Sequence, residues 1–405
     1  MMNHCVATYR LYDDRADFHK KAEGIAVGLT VGSWTDLPEA AKADMEKHLG
    51  RVVSVQEHHS DVPGERCAEI SIAYPDINFS HDIPALLVTI FGKLSMDGRI
   101  KLIDVNWSDE FKQAFPGPKF GVDGVRKLVD VHDRPLLMSI FKSVIGHDLQ
   151  TLREQFYQQA LGGVNLIKDD EILFENPLTP IGRRVRVCMQ AAQEAEQRTG
   201  KKLLYAVNLT GPTFSLRDQA LRAIEAGANA LLFNVLGYGY DVLHALSQDR
   251  DITVPIAAHP ALAGSYYPSP HHGISASLVL GKFMRLAGAD LVLFPSPYGS
   301  VTMPKEETQA IREALTTAAI DAPPSFPVPS AGIHPGLVPL LIRDFGTDVV
   351  VNAGGGVHGH PLGTAAGGRA FVQAIDAVMQ GSSLEGFAAD HEELRAAIQA
   401  WGVKQ

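Results

Sequence analysis

From Arg134 onward the sequence repeats one unit: a short apolar run, a polar loop, then a helical stretch. The runs are Leu136–Phe141, Val164–Ile167, Leu203–Val207, Ala230–Val235, Thr253–Ala257, Leu291–Phe294, Phe326–Val328 and Val349–Val351. Short apolar runs without alternation read as strands buried on both faces. Helical stretches such as Ser215–Glu225, Ser275–Leu286, Lys305–Ala318 and Gly363–Met379 separate them. Three helix-to-strand joints look alike: Gly163-Val164-Asn165, Gly227-Ala228-Asn229 and Gly288-Ala289-Asp290. Glycine there suits the left-handed turn that ends a helix. Eight strands alternating with helices predict a (β/α)8 TIM barrel. An open doubly wound sheet is the alternative, but no G-x-G-x-x-G turn follows an early strand.

The preceding residues read as α+β. A strand at Val6–Tyr12 leads to a helix over Arg15–Leu29, with Ala22, Ile25, Ala26 and Leu29 on one face. Strands at Val52–Gln56 and Ala68–Tyr74, a helix at Ile83–Phe91 and a strand at Ile100–Val105 complete a β-α-β-β-α-β order. That order predicts a ferredoxin-like domain. Pro116-Gly117-Pro118 breaks regularity, so the expected division is 1–123 for this domain and 124–405 for the barrel. At 405 residues with 45% hydrophobic and 20% charged, the chain can bury a core of that size.

A net charge of -10 without a Lys/Arg tract argues against nucleic acid or an acidic membrane surface as partner. Cys5, Cys67 and Cys188 fit neither a disulfide framework nor a metal spacing, which points to a reducing cytoplasm. Met1-Met2-Asn3-His4-Cys5 carries no export signal, and the apolar stretch Ala85–Phe91 is too short to span a bilayer. A cytoplasmic location is expected.

In a barrel of this kind chemistry gathers where the strands end. The second run ends in Lys168-Asp169-Asp170-Glu171. Hard cations such as Mg²⁺ take oxygen ligands, and carboxylates at this spacing supply them. A bare ammonium would repel the ion. Lys168 therefore makes sense as a neutral base or, better, as a carbamate formed with CO₂, a third anionic oxygen ligand. The bland alternative is a solvated loop capping the next helix. Other strand ends are also polar: Lys142 after the first, His259-Pro260 after the fifth, Ser330-Ala331-Gly332-Ile333-His334 after the seventh, and Gly354-Gly355-Gly356 after the eighth. Glycines after the last two strands leave backbone N–H groups free for a phosphate. His358 and His360 resemble an H-x-H metal pair, but surrounding glycine and proline favour a structural role. His271-His272 reads as loop surface.

Together these segments resemble the RuBisCO superfamily across essentially the whole chain. The carriers are Phe115-Pro116-Gly117-Pro118, Arg134-Pro135-Leu136-Leu137, Gly162-Gly163 through Glu171, Pro329-Ser330-Ala331-Gly332-Ile333-His334, Gly354-Gly355-Gly356 and Gly359-His360-Pro361. The resemblance implies a carbamylated Lys168 that binds one Mg²⁺ per subunit with Asp170 and Glu171. It also implies a homodimer whose active site is shared between subunits. The carboxylases' Lys-Pro-Lys is here Lys142-Ser143-Val144, their His-Arg is His259-Pro260, and their Gly-Lys loop is Tyr298-Gly299-Ser300-Val301. These departures argue against carbon fixation on a bisphosphate and for a monophosphate.

Within that superfamily the chain more closely resembles the RuBisCO-like 2,3-diketo-5-methylthiopentyl-1-phosphate enolases of methionine salvage. Lys20-Lys21-Ala22-Glu23-Gly24-Ile25-Ala26, Ser33-Trp34-Thr35-Asp36-Leu37-Pro38, Pro84-Ala85-Leu86-Leu87, Phe91-Gly92-Lys93-Leu94-Ser95 and Phe294-Pro295-Ser296-Pro297-Tyr298-Gly299-Ser300 carry that similarity. It implies that Lys93 is the proton-abstracting base. Substrate contacts implied are Lys142, Lys168, Asp169, Asp170, Glu171, His259, Ser330, Gly332, Gly354 and Gly355. A RuBisCO-like isomerase acting on 5-methylthioribulose 1-phosphate is the runner-up. A non-catalytic phosphate-binding protein is the third reading, and it would not need the intact Lys-Asp-Asp-Glu.

Overall fold

A computed structural model describes residues 4–32, 38–59, 65–318 and 322–404, so most of the Ser33–Pro38 segment lies outside the described residues. Strands β1 (His4–Tyr12), β2 (Arg51–His59), β3 (Arg66–Pro75) and β4 (Ile100–Asn106) form a sheet in the order β4-β1-β3-β2. All three ladders among them are antiparallel. This is the ferredoxin-like arrangement. In β1 burial alternates, so Cys5, Ala7, Tyr9 and Leu11 face the core. The helix Phe18–Gly28 covers that face with Phe18, Ala22, Ile25 and Ala26, and the Asp17 side chain caps it by accepting the Lys20 N–H.

The second helix departs from expectation. Instead of running evenly over Ile83–Phe91, it is α-helical at Ile83–Leu87 and widens into a π-turn at Val88–Gly92. The buried Tyr9 hydroxyl donates to Ile90 O at 2.6 Å within that turn. Lys93 follows directly. Single π-turns recur at functional sites because they re-aim the residues beside them.

The second sheet has eight strands, all parallel: β5 (Leu136–Ile140), β6 (Leu166–Lys168), β7 (Leu204–Leu209), β8 (Ala230–Phe233), β9 (Ile256–Ala258), β11 (Leu291–Pro295), β12 (Phe326–Ser330) and β13 (Val350–Ala353). It curls into a nearly closed barrel with β12 and β13 at the seam. The sequence explains why no ladder closes that seam among the described residues. Phe326 N–H points to β11, where it donates to Asp290 O at 2.8 Å. The alternate residues facing β13 are Pro327 and Pro329, which have no N–H to give. The Asn352 side-chain amide bridges to Ser330 Oγ at 2.8 Å instead. Inside, Leu136, Met138, Leu204, Leu232, Leu291 and Val328 pack together, and Val122, Val125 and Val129 of the helix Gly121–Val129 join the same cluster.

The three look-alike joints all carry left-handed glycines: Gly163 at φ 79°, Gly227 at 111° and Gly288 at 98°. Their third residue has a further task. Asn165 accepts the Leu137 N–H, Asn229 the Tyr205 N–H and Asp290 the Ile256 N–H. Each carboxamide or carboxylate thus satisfies a backbone donor at the start of a neighbouring strand.

A two-residue strand, β10 (Gly273–Ile274), was not anticipated. It leaves the barrel loop after β9 and pairs parallel with β4, at Lys101 and Leu102. His271, expected as loop surface, is half-buried beside it, with Nε2 3.1 Å from Glu65 Oε1 and its ring edge-on to Tyr12. No described helix is long and apolar enough to cross a membrane.

Candidate active site

A cavity of about 700 Å³ opens at the carboxyl ends of the barrel strands. Lys142, Lys168, Glu171, His259, Ser330, Gly332, Gly354 and Gly355 line it, together with Asn352. Lys168 ends β6 and is 1% exposed, so it is not part of a solvated loop. Its Nζ donates to Asp169 O at 3.0 Å and lies 3.5 Å from Glu171 Oε2. Burial pushes its ammonium pKa down, against the pull of the Glu171 and Asp170 charges. Glu171 is held below the usual carboxylate range: burial raises it, but Lys168, a backbone N–H and Lys142 lower it more. Lys142 Nζ donates to Asp170 Oδ2 at 3.0 Å, and His259 Nε2 lies 3.5 Å from Glu171 Oε2. Burial, then the Lys168 charge, drives His259 well below an ordinary imidazole, so it sits neutral.

Asp169 does not join this group. Both of its oxygens are spent behind the mouth, where Oδ1 accepts Tyr205 OH at 2.6 Å. Its Oδ2 accepts Arg184 Nη2 at 3.0 Å and Asn208 N–H at 2.9 Å. Aspartate and arginine are both fully buried. The expected substrate contact by Asp169 is therefore not carried by the geometry; its carboxylate fixes the floor from which Lys168 and Asp170 rise.

Lys93 lies apart as well. It is exposed and lines a separate cleft of about 270 Å³ on the N-terminal domain, with Lys21, Gly24, Ile25, Gly28 and Leu29. His358 and His360 are structural: Nε2 of the first meets Ile140 O at 2.7 Å, and Nε2 of the second meets Glu393 O at 2.9 Å.

Backbone strain concentrates at the mouth. Four described non-glycine residues have positive φ, and three of them, Ser143, Leu262 and Ala331, follow strands β5, β9 and β12. Asn352 Oδ1 is buried without a hydrogen-bond partner, an acceptor waiting at the cavity wall. Ala261, Ala263, Gly264 and Tyr267 also line the cavity, and nothing in the sequence singled them out beyond the length of the loop between the fifth run and the next helix.

Among the described residues no group of three His, Cys, Asp or Glu side chains is set to hold a metal. The donor set here includes a lysine. Lys168 and Glu171 meet here with Asp170 next to them in the chain, and carbon dioxide on the buried amine would make three oxygen anions, a set that suits a hard divalent cation. The residues fit such an ion.

Residues 1–111 match the model of the ribulose bisphosphate carboxylase large chain N-terminal domain, and residues 121–401 match that of its catalytic domain. The chain belongs to the RuBisCO large-chain family. Within that family it is 56% identical over 409 residues to the 2,3-diketo-5-methylthiopentyl-1-phosphate enolase of Geobacillus kaustophilus (strain HTA426), covering 99% of each chain. It is 55% identical over 401 residues to the enolase of the same name from Bacillus licheniformis, covering 99% of this chain and 98% of that one. A crystal structure of a rubisco-like protein (MtnW) from Alicyclobacillus acidocaldarius superposes with a TM-score of 0.94 at 51% identity, covering 99% and 100% of the two chains. A dimeric archaeal Rubisco from Hyperthermus butylicus superposes at 0.88 with 29% identity, covering 99% and 96%. The chain is an enzyme of this RuBisCO-like group.

Proposed function

We propose that this enzyme converts 2,3-diketo-5-methylthiopentyl 1-phosphate to 2-hydroxy-3-keto-5-methylthiopentenyl 1-phosphate, an isomerase-type tautomerisation in methionine salvage. The observation that carries the reading is full-length likeness to enolases of that name, with the buried Lys168 and Glu171 lining one mouth and Asp170 bonded to Lys142 of the same lining. Lys168 as a carbamate, Asp170 and Glu171 would hold Mg²⁺. Bound there, the cation supplies Lewis-acid polarisation of the dione.

The remaining work falls to the chain's own groups. Lys93, deprotonated, takes the proton from C1 beside the phosphate, and the C2 oxygen gains one, so the composition of the substrate is unchanged. Lys142, paired with Asp170, and the neutral His259, beside Glu171, face the dione. Ser330, Gly332, Gly354 and Gly355 receive the phosphate, where backbone N–H groups lie open.

Lys93 reaches substrate from a second subunit in this reading, since it lines a different cleft from the mouth of its own chain. Exposed apolar side chains favour such pairing. Val88 and Met96 flank Lys93 at 70% and 82% exposure. Beside the mouth, Ile145, Ile172, Phe174 and Leu178 line a groove and are also exposed.

The test is direct. Purified protein with Mg²⁺, bicarbonate and the diketo phosphate should generate the enol's ultraviolet band, with the C1 proton exchanging into solvent by NMR. No band at saturating substrate rules the reading out.

A further inference from the structure

We infer that the rim segment Pro260–Tyr267, with Val301, is the wall that receives the methylthio tail and sets which diketo phosphates the mouth accepts. The inference rests on the enolase reading above. The cavity is chemically divided. Lys142, Lys168, Glu171 and His259 carry its charge, and Gly332, Gly354 and Gly355 follow β12 and β13. The rim after β9 and β11 is different in kind: Pro260, Ala261, Ala263, Gly264, Tyr267 and Val301 line the cavity without a single charged side chain.

The substrate has matching ends. Its phosphate on C1 and its thioether on C5 sit at opposite ends of a five-carbon chain, with the dione between. With the phosphate on the glycines and the dione over Glu171, the tail falls to the apolar rim. A thioether gains there from burial and from the edge of an aromatic ring such as Tyr267, where a second phosphate would find no cation.

This wall is built, not a slack loop. Ala263 is 3% exposed and starts a short 3-10 turn over Ala263–Ser265, after Leu262 in the left-handed region at φ 72°. Tyr266 O accepts the Ile274 N–H at 2.9 Å, at the point where β10 joins β4. From β4 the buried Lys101 donates through Nζ to Tyr267 O and Ser269 O, both at 2.7 Å. The N-terminal sheet of the same chain thus fixes the rim, while His259 is held separately at the end of β9 by its N–H to Phe233 O at 2.9 Å.

The experiment compares two substrates, the methylthio diketo phosphate and 2,3-diketopentyl 1-phosphate, which lacks the thioether. A Cβ at Gly264 meets nothing within 4 Å, so the side chain of Gly264→Val starts in open space. In Gly264→Val, and in Val301→Asn, the ratio of kcat/KM with the tail to kcat/KM without it should fall about tenfold, while the tail-less compound is still turned over. A ratio unchanged in both variants, or equal loss for both substrates, overturns the wall. Inability of the wild-type enzyme to enolise either compound overturns instead the enolase reading beneath it.

Discussion

Between Asp169 and Asp170 the chain sends one carboxylate back to Arg184 and the next up to Lys142. Their substitutions should part accordingly. Asp169→Asn leaves a fully buried guanidinium without its counter-charge, which should cost about 3–5 kcal/mol, read as a lower urea midpoint at unchanged slope. Asp170→Asn should unfold near the wild-type midpoint and lose activity. Equal loss of stability in the two variants would contradict the division of labour drawn here. Lys168 sets the second test at this scale. Burial holds its amine toward the neutral form, the form that attacks carbon dioxide. Lys168→Ala should lose both Mg²⁺ binding, measured by calorimetry, and turnover, and wild-type enzyme in CO₂-free buffer should lose activity that bicarbonate restores. The motif was legible because four charged residues at the end of an apolar run are unusual. Which of the two aspartates faces the substrate was not, because their side chains differ only in the neighbours that the fold brings to them.

At the scale of elements, the Gly-x-Asx joint is the recurring device, and Asp290 is its one ionisable instance. Its Oδ1 accepts the N–H groups of Phe120 and Gly121, and Oδ2 that of Ile256. Burial pushes this carboxyl up to about 6, and the three N–H donors offset only part of that. The folded state then keeps the proton to higher pH than the unfolded chain does. Stability from this group is full below about pH 4 and is lost as pH rises through 6, by roughly 2–3 kcal/mol. The difference in unfolding free energy between wild type and Asp290→Asn should therefore slope between pH 4 and 7; a flat difference would count against the shift. The barrel strands were readable because strands buried on both faces leave unbroken apolar runs. The β4-β1-β3-β2 order followed from the sequence of elements. Two features escaped. Strand β10 is two residues long and owes its form to a partner far away in sequence, and the π-turn before Lys93 rests on a tyrosine in another strand. Local pattern carries neither.

For the whole molecule, the separation of Lys93 from Lys168 has the largest consequence. The two lysines line different cavities of one chain, and apolar side chains stand exposed beside each. A two-fold dimer that lays one N-terminal domain over the other subunit's mouth would cover both patches and bring the proposed base to the dione. In the shared-site reading proposed above, each site would draw Lys93 from one chain and Lys168 from its partner. Lys93→Ala and Lys168→Ala enzymes should each be inactive alone. Mixed, dissociated and reassociated in equal amounts, half of the dimers become hybrid, and each hybrid holds one intact site and one doubly altered site. Activity should return to about one quarter of wild type. Hybrids isolated by differential tagging should reach about half per dimer. A site contained within one chain gives no recovery at any mixing ratio, because every mouth then lacks one lysine or the other. Recovery that scales with the hybrid fraction is the result a shared site requires.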